Sequence, residues 1–69
     1  MNKKAGDYML QLTKLDGRIL LVDPHYIENV IPVITPDENY TLLIITHGEQ
    51  RDLYRVKETP DNIERMIQK

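Results

Sequence analysis

Cysteine, serine, tryptophan and phenylalanine are all absent from this 69-residue chain. Without cysteine there is neither a disulfide framework nor a thiolate metal site. Without serine the commonest hydroxyl nucleophile is missing, and the threonines are expected in strands or caps. The three glycines are isolated in the sequence, so no glycine-rich loop can cradle a phosphate. These absences predict a protein that is not an enzyme.

The chain is also too short to build a large hydrophobic core. A domain of this size buries only about 60% of the surface that its unfolded chain exposes. Small domains without disulfides or metals often gain further burial by oligomerising or docking. We therefore expect the partner to be another protein or a second copy of this chain, as in a homo-oligomer.

Charge of one sign is not concentrated anywhere. Nine basic and eleven acidic residues give a net charge of −2, and only Lys3 and Lys4 form a contiguous basic pair. Phosphate recognition requires concentrated Lys and Arg, so nucleic acid is not expected as the main ligand. The longest apolar runs, Ile19 to Val22 and Leu42 to Ile45, are far shorter than the ~20 residues of a membrane-spanning helix. No apolar signal region follows Lys3-Lys4, and we expect a cytoplasmic protein without membrane insertion.

What is present is mainly β-strand patterning. Residues 1–7 read as a flexible leader, and the single domain is expected over 8–69. A first strand at about Tyr8 to Leu15 and a second at Arg18 to Val22 flank Asp16-Gly17, a pair suited to a two-residue type I′ hairpin turn. The continuous apolar run of the second strand favours cover on both faces or curling around a core.

Three more strands are expected after a break at Asp23-Pro24, which predicts an N-capped single turn. The third, about Glu28 to Ile34, contains Pro32 and is predicted to lie at an edge or bulge. The fourth, Tyr40 to Thr46, suits a central strand covered on both faces. In the fifth, about Arg51 to Lys57, apolar and polar residues alternate, so one face can be exposed to solvent.

A short helix at about 60–68 closes the chain. Thr59 is a good N-cap, Pro60 suits the first helical position, and Ile63, Met66 and Ile67 form one apolar stripe. The expected fold class is mainly β (α+β): a small five-stranded antiparallel sheet, curled or barrel-like, with one C-terminal helix.

Residues that could act in catalysis or bind a metal are few and scattered along the chain. His25 and His47 each lie in a turn without a second close-spaced ligand, so neither predicts a metal site. Asp37-Glu38 and the acids around Thr59 are better explained as a solvated turn and a helix cap than as catalytic pairs. No catalytic, cofactor-binding or metal-binding residue is therefore predicted. Tyr54 and Met66 are the candidates for contact with a partner protein, and the alternative is that both complete the small core.

Several blocks follow one another in a set order along the chain. Leu12-Thr13-Lys14-Leu15-Asp16-Gly17 leads into an apolar strand, which is followed by Asp23-Pro24-His25-Tyr26-Ile27-Glu28-Asn29-Val30. Pro36-Asp37 and Thr41 come next, then Thr46-His47-Gly48, and Val56-Lys57-Glu58-Thr59 stands before the helix. The order of these blocks resembles the flagellar and swarming-motility small-protein family. The chain has a longer leader than that family and extra residues in two turns.

The resemblance implies a small cytoplasmic protein, not an enzyme, that supports flagellar motor function or swarming by contacting another protein. It supplies no catalytic or binding residues. Two alternatives stay open. One is a nucleic-acid-binding small β-barrel, since curled five-stranded sheets often serve that use. The other is a mobile-element or phage-borne accessory protein with the same scaffold.

Overall fold

The computed structural model describes residues 9–68; the predicted leader and the start of the first strand at Tyr8 lie outside them. The protein is mainly β, with five strands in two antiparallel sheets and one C-terminal helix. The elements in chain order are β1 (Leu10–Thr13), β2 (Ile19–Val22), a 3₁₀ turn (Pro24–Tyr26), β3 (Ile27–Ile34), β4 (Asn39–His47), β5 (Gln50–Val56) and α1 (Pro60–Ile67).

The first two strands form the predicted hairpin, but the predicted type I′ turn is wrong. Strand pairing ends at Thr13 opposite Ile19, and the N–H of Gly17 donates to the carbonyl of Lys14 at 2.9 Å. Gly17 has a φ of +94°, whereas Asp16 does not have a positive φ. This is a longer loop whose last residue alone is left-handed. Asp16 instead uses its carboxylate to hold the loop, since it accepts from the backbone N–H of Arg18 at 3.0 Å.

The second sheet is the three-stranded meander β3-β4-β5. Gly48 has a φ of +66° at the first central position of the two-residue turn between β4 and β5, which is the pattern of a type II′ turn. That turn fixes the register, with Ile45 opposite Asp52 and Leu43 opposite Tyr54. As predicted, β3 lies at an edge, where Pro32 does not interrupt a central ladder.

A single five-stranded sheet or barrel is expected from the sequence. The five strands instead form these two sheets, which do not close into a barrel. One isolated antiparallel bridge, Lys14 with Val56, joins them at a corner. The N–H of Lys57 donates to the carbonyl of Thr13 at 2.8 Å beside it. Only four residues of β1 pair with β2, so the hairpin can turn away from the larger sheet beyond this corner.

The core lies between the hairpin, the inner face of the three-stranded sheet and the helix. Its buried residues are Leu10, Leu12, Val22, Leu43, Val56 and Ile63. Cover on both faces, predicted for β4 and favoured for β2, is wrong for both strands. In β4 only Thr41 and Leu43 are buried, and in β2 Ile19 and Leu21 are exposed. A chain of 69 residues offers little material to cover a second face.

The helix begins as predicted. The hydroxyl of Thr59 accepts from the N–H of Asn62 at 3.2 Å, and Pro60 occupies the first helical position. Of the apolar stripe, Ile63 is fully buried, Met66 is half-buried against the core and Ile67 is exposed. Among residues 9–68 there is no helix whose length and apolar character would allow it to cross a bilayer.

Candidate functional site

An open groove of about 380 Å³ lies at the end of the molecule where the hairpin and the larger sheet diverge. We call it the hairpin groove. Its lining is Met9, Leu20, Leu21, Val22, Asp23, Tyr26, Ile45, His47, Asp52 and Tyr54. The set combines aliphatic walls with two tyrosines, one histidine and two carboxylates. Sites that bind other molecules commonly combine apolar walls with a few polar groups in this way.

The 3₁₀ turn positions one wall of the groove. The carboxylate of Asp23 accepts from the backbone N–H of His25 at 2.9 Å, and the N–H of Tyr26 donates to the Asp23 carbonyl at 3.0 Å. Pro24 at the first position holds φ near the value that the turn needs. The Tyr26 ring then meets the His47 ring edge-on, with 4.5 Å between the ring centroids. Tyr26 is thereby fixed at the mouth although it is exposed.

The opposite wall comes from the end of the β4-β5 hairpin. Residues directly opposite in an antiparallel pair share a face, as do residues two apart in a strand. Ile45 and Asp52 are directly opposite, and Tyr54 is two residues beyond Asp52. All three therefore point to the inner face, and Leu53 points away from it, where it is 60% exposed.

The groove is acidic. Asp23 and Asp52 both line it, whereas none of the described residues in the lining is a lysine or an arginine. Asp23 has a side chain that is 17% exposed, and its Oδ1 lies 3.3 Å from Nδ1 of His25. Within residues 9–68 no hydrogen bond or ion pair engages the Asp52 carboxylate. Among the described residues, the half-buried Asp52 is thus an acceptor without a donor, and it faces an apolar surface.

Exposed apolar side chains cluster at the same place. Met9, Leu21 and Tyr26 are each more than 40% exposed and all line the groove. Ile19, two residues before Leu21 on the same face of β2, extends this apolar surface. Contiguous apolar surface on a small domain is typical of contact sites.

The opposite corner of the molecule is built quite differently, around Glu58. Its Oε1 accepts from the backbone N–H of Thr13 and its Oε2 from the Thr13 hydroxyl, both at 2.9 Å. Its backbone carbonyl accepts from the hydroxyl of Thr41 at 2.6 Å. We call this set of contacts the Glu58 junction. The carboxylate takes the place of a strand carbonyl just after β5 ends, so Glu58 has a structural role here.

The two predicted contact residues lie in different places. Tyr54 lines the hairpin groove and also packs against the core, with Nζ of Lys14 located 5.7 Å from its ring centroid. Met66 packs against the core from the helix and is not part of the groove lining. Both are half-buried, and the exposed large hydrophobic residues of their elements are instead Leu53 and Ile67. The structure brings Tyr54 to the site and leaves Met66 away from it.

Asp23, His47 and Asp52 were missed as groove residues. A signal for Asp52 was available: a two-residue turn at Gly48-Glu49 places Ile45 opposite Asp52 by simple counting. Nothing in the sequence pairs the 3₁₀ turn with the end of β4, so the contact of Tyr26 with His47 could not be found. Among residues 9–68 no three potential ligands gather to hold a metal ion.

Comparison of the chain with protein-family models, with curated proteins and with solved structures found no match. Any function must therefore be inferred from the groove and its chemistry.

Proposed function

We propose that this protein is an interaction module without catalytic activity, and that the hairpin groove is its contact site. The observation that supports this is the open groove flanked by exposed Met9, Leu21 and Tyr26 on a domain with a small core. Tyrosine and methionine give large contact area, and the aliphatic walls can receive a side chain from a partner. The partner is another protein or a second copy of the chain.

The biological setting that we propose is flagellar motor function or swarming motility. It rests on the resemblance described above, in which the hairpin, the Asp23-Pro24 turn and the Val56-Lys57-Glu58-Thr59 block follow in one order. Two of those blocks have a physical role in the fold, because the Asp23 turn positions Tyr26 and Glu58 joins the sheets. A phage-borne accessory protein with this scaffold is the competing setting, and the setting does not alter the groove chemistry.

Site-specific photo-cross-linking tests the contact site. A photoreactive residue replaces Leu21 in the groove, and a matched one replaces Asp37, which is exposed in the β3-β4 turn at the far end of the sheet. We expect a defined cross-linked species from position 21 and none from position 37. Light scattering of the purified protein shows whether that species is a second copy. Cross-linked products in equal amounts from both positions would overturn the proposal. So would the absence of any product from position 21 if light scattering also finds the protein to be monomeric.

The motility setting is tested by deleting the gene in its source organism. We expect slower swarming that wild-type protein and an Ile34→Asp variant restore and a Leu21→Asp variant does not. Ile34 is 81% exposed outside the groove, so it is the matched control. A deletion strain that swarms at the normal rate would refute the motility setting and leave the contact site standing.

A further inference from the structure

We infer that the hairpin groove selects a partner segment that inserts a lysine or arginine side chain between apolar neighbours. This rests on the proposed contact function and names the chemistry of the partner. The observation that carries it is the placement of two carboxylates, those of Asp23 and Asp52, on an otherwise aliphatic and aromatic lining.

The two carboxylates leave acceptors for a cation. Oδ1 of Asp23 is used by the backbone of the 3₁₀ turn, and no described residue donates to its Oδ2. The carboxylate of Asp52 has no partner among residues 9–68. A half-buried carboxylate gains most from a charged donor that brings its own hydrogen bonds. An anionic or neutral polar segment would not form charge-assisted hydrogen bonds with these two carboxylates.

The rest of the lining suits the stem of the same side chain. Lysine and arginine carry three or four methylene groups that pack along apolar surface while the charged end remains polar. Leu20, Leu21 and Ile45 supply that surface, and Tyr26 adds an aromatic ring at the mouth. Tyrosine rings attract cations, and the molecule already shows this contact where Lys14 lies over the Tyr54 ring.

A second cavity in the structure lacks this complementarity. The described residues that line it are Pro32, Val33, Ile34, Asn39, Tyr40, Thr41, Lys57, Thr59 and Pro60, and the one charged residue among them is a lysine. The opposite charge of the two cavities is therefore the feature by which a basic segment is directed to the hairpin groove.

The test is a titration of the ¹⁵N-labelled 69-residue chain with three short peptides, followed by NMR. The probes are acetyl-Leu-Lys-Leu-amide, the same peptide with norleucine for lysine, and the same peptide with glutamate. We expect the lysine peptide to shift the amide signals of Leu21, Tyr26 and Asp52 and to bind about fivefold more tightly than the norleucine peptide. The glutamate peptide should bind most weakly, and added salt should reduce only the lysine advantage.

An Asp52→Asn variant should lose most of the lysine advantage, because the amide keeps the shape and removes the charge. Asp37→Asn removes the same charge far from the groove and should change nothing. Equal binding of the lysine and norleucine peptides overturns the inference, as does binding of none of the three. The contact function is judged separately by cross-linking at position 21, so it survives either of these results. If tight binding appears only after Lys3→Gln and Lys4→Gln are introduced together, the chain's own lysines occupy the groove, and a partner segment is refuted.

Discussion

The two ends of this molecule differ in how far their polar groups are hydrogen-bonded and their apolar side chains are buried. At the Glu58 junction the strand edges converge, and Thr13, Thr41 and Lys57 all find hydrogen-bond partners at 2.6 to 2.9 Å. At the hairpin groove the same two sheets separate, and apolar side chains stay exposed beside Asp52, whose carboxylate has no partner among residues 9–68. Among residues 9–68 the hydrogen bonds between the two sheets all lie at this one corner, and the other end is open. Stability should reside at the first end and recognition at the second.

The largest expected effect comes from two leucines of one hairpin. Leu12 is fully buried near the junction, and Leu21 is 59% exposed at the groove. Leu12→Ala should lower the free energy of unfolding by about 2–5 kcal/mol, because it removes buried methyl groups and leaves a cavity. Leu21→Ala should stay within about 0.5 kcal/mol of wild type. Urea denaturation followed by circular dichroism measures both, and similar losses would contradict the division into a stable and an open end.

The second effect concerns the carboxylate of Glu58. Glu58→Ala leaves the N–H and hydroxyl of Thr13 without their partner, which should cost about 1–3 kcal/mol. Glu58→Gln keeps one acceptor for the Thr13 N–H and a donor for its hydroxyl, so it should recover most of that loss. Thermal and urea unfolding of the two variants, with Glu64→Ala on the exposed face of the helix as the control, give the comparison. A glutamine variant as weak as the alanine variant would show that charge, rather than hydrogen-bond geometry, holds the junction.

A smaller effect is expected where Thr41 meets the junction. Thr41 is 2% exposed, and its hydroxyl donates to the carbonyl of Glu58. Thr41→Val keeps the shape and removes the donor, so it should cost about 1 kcal/mol and expose the Glu58 carbonyl to competition from water. Amide hydrogen exchange should speed up at Thr13 and Lys57 and remain unchanged at His47. Uniform acceleration along the whole chain would show that the junction is not a local unit.

The sequence predicts the local elements well and their assembly poorly. The break at Asp23-Pro24, the Thr59 cap and the five strands follow from backbone preferences that a few neighbouring residues fix. The division into two sheets joined at one corner involves long-range contacts, such as Glu58 accepting from Thr13, 45 residues away in the chain. No local preference encodes a contact of that separation. The hairpin groove is a product of this division, and so its lining was accessible to sequence reasoning only through the Gly48 turn.

The exposed residues of β2 illustrate the same limit. A run of four apolar residues, Ile19 to Val22, favours cover on both faces, yet Ile19 and Leu21 are exposed. The pattern indicates that these side chains are apolar. It does not indicate whether the residues that bury them belong to this chain or to a partner. A protein partner at the groove is one way in which such a run gains its second cover.

The smallest effect is electrostatic and lies in the hairpin loop beside the Glu58 junction. The backbone N–H of Arg18, and next its guanidinium, lower the pKa of Asp16 below its ordinary value of 3.8. Because the folded pKa lies below the unfolded one, this contact stabilises the hairpin above about pH 3.8 and is lost as the pH falls through the folded pKa. Arg18→Gln keeps the backbone donor, so the Asp16 pKa should rise only part of the way, and Lys14→Gln should raise it less. A carboxyl ¹³C NMR titration measures this. Full return of the Asp16 pKa to its ordinary value in Arg18→Gln would show that the guanidinium, and not the loop backbone, sets the charge.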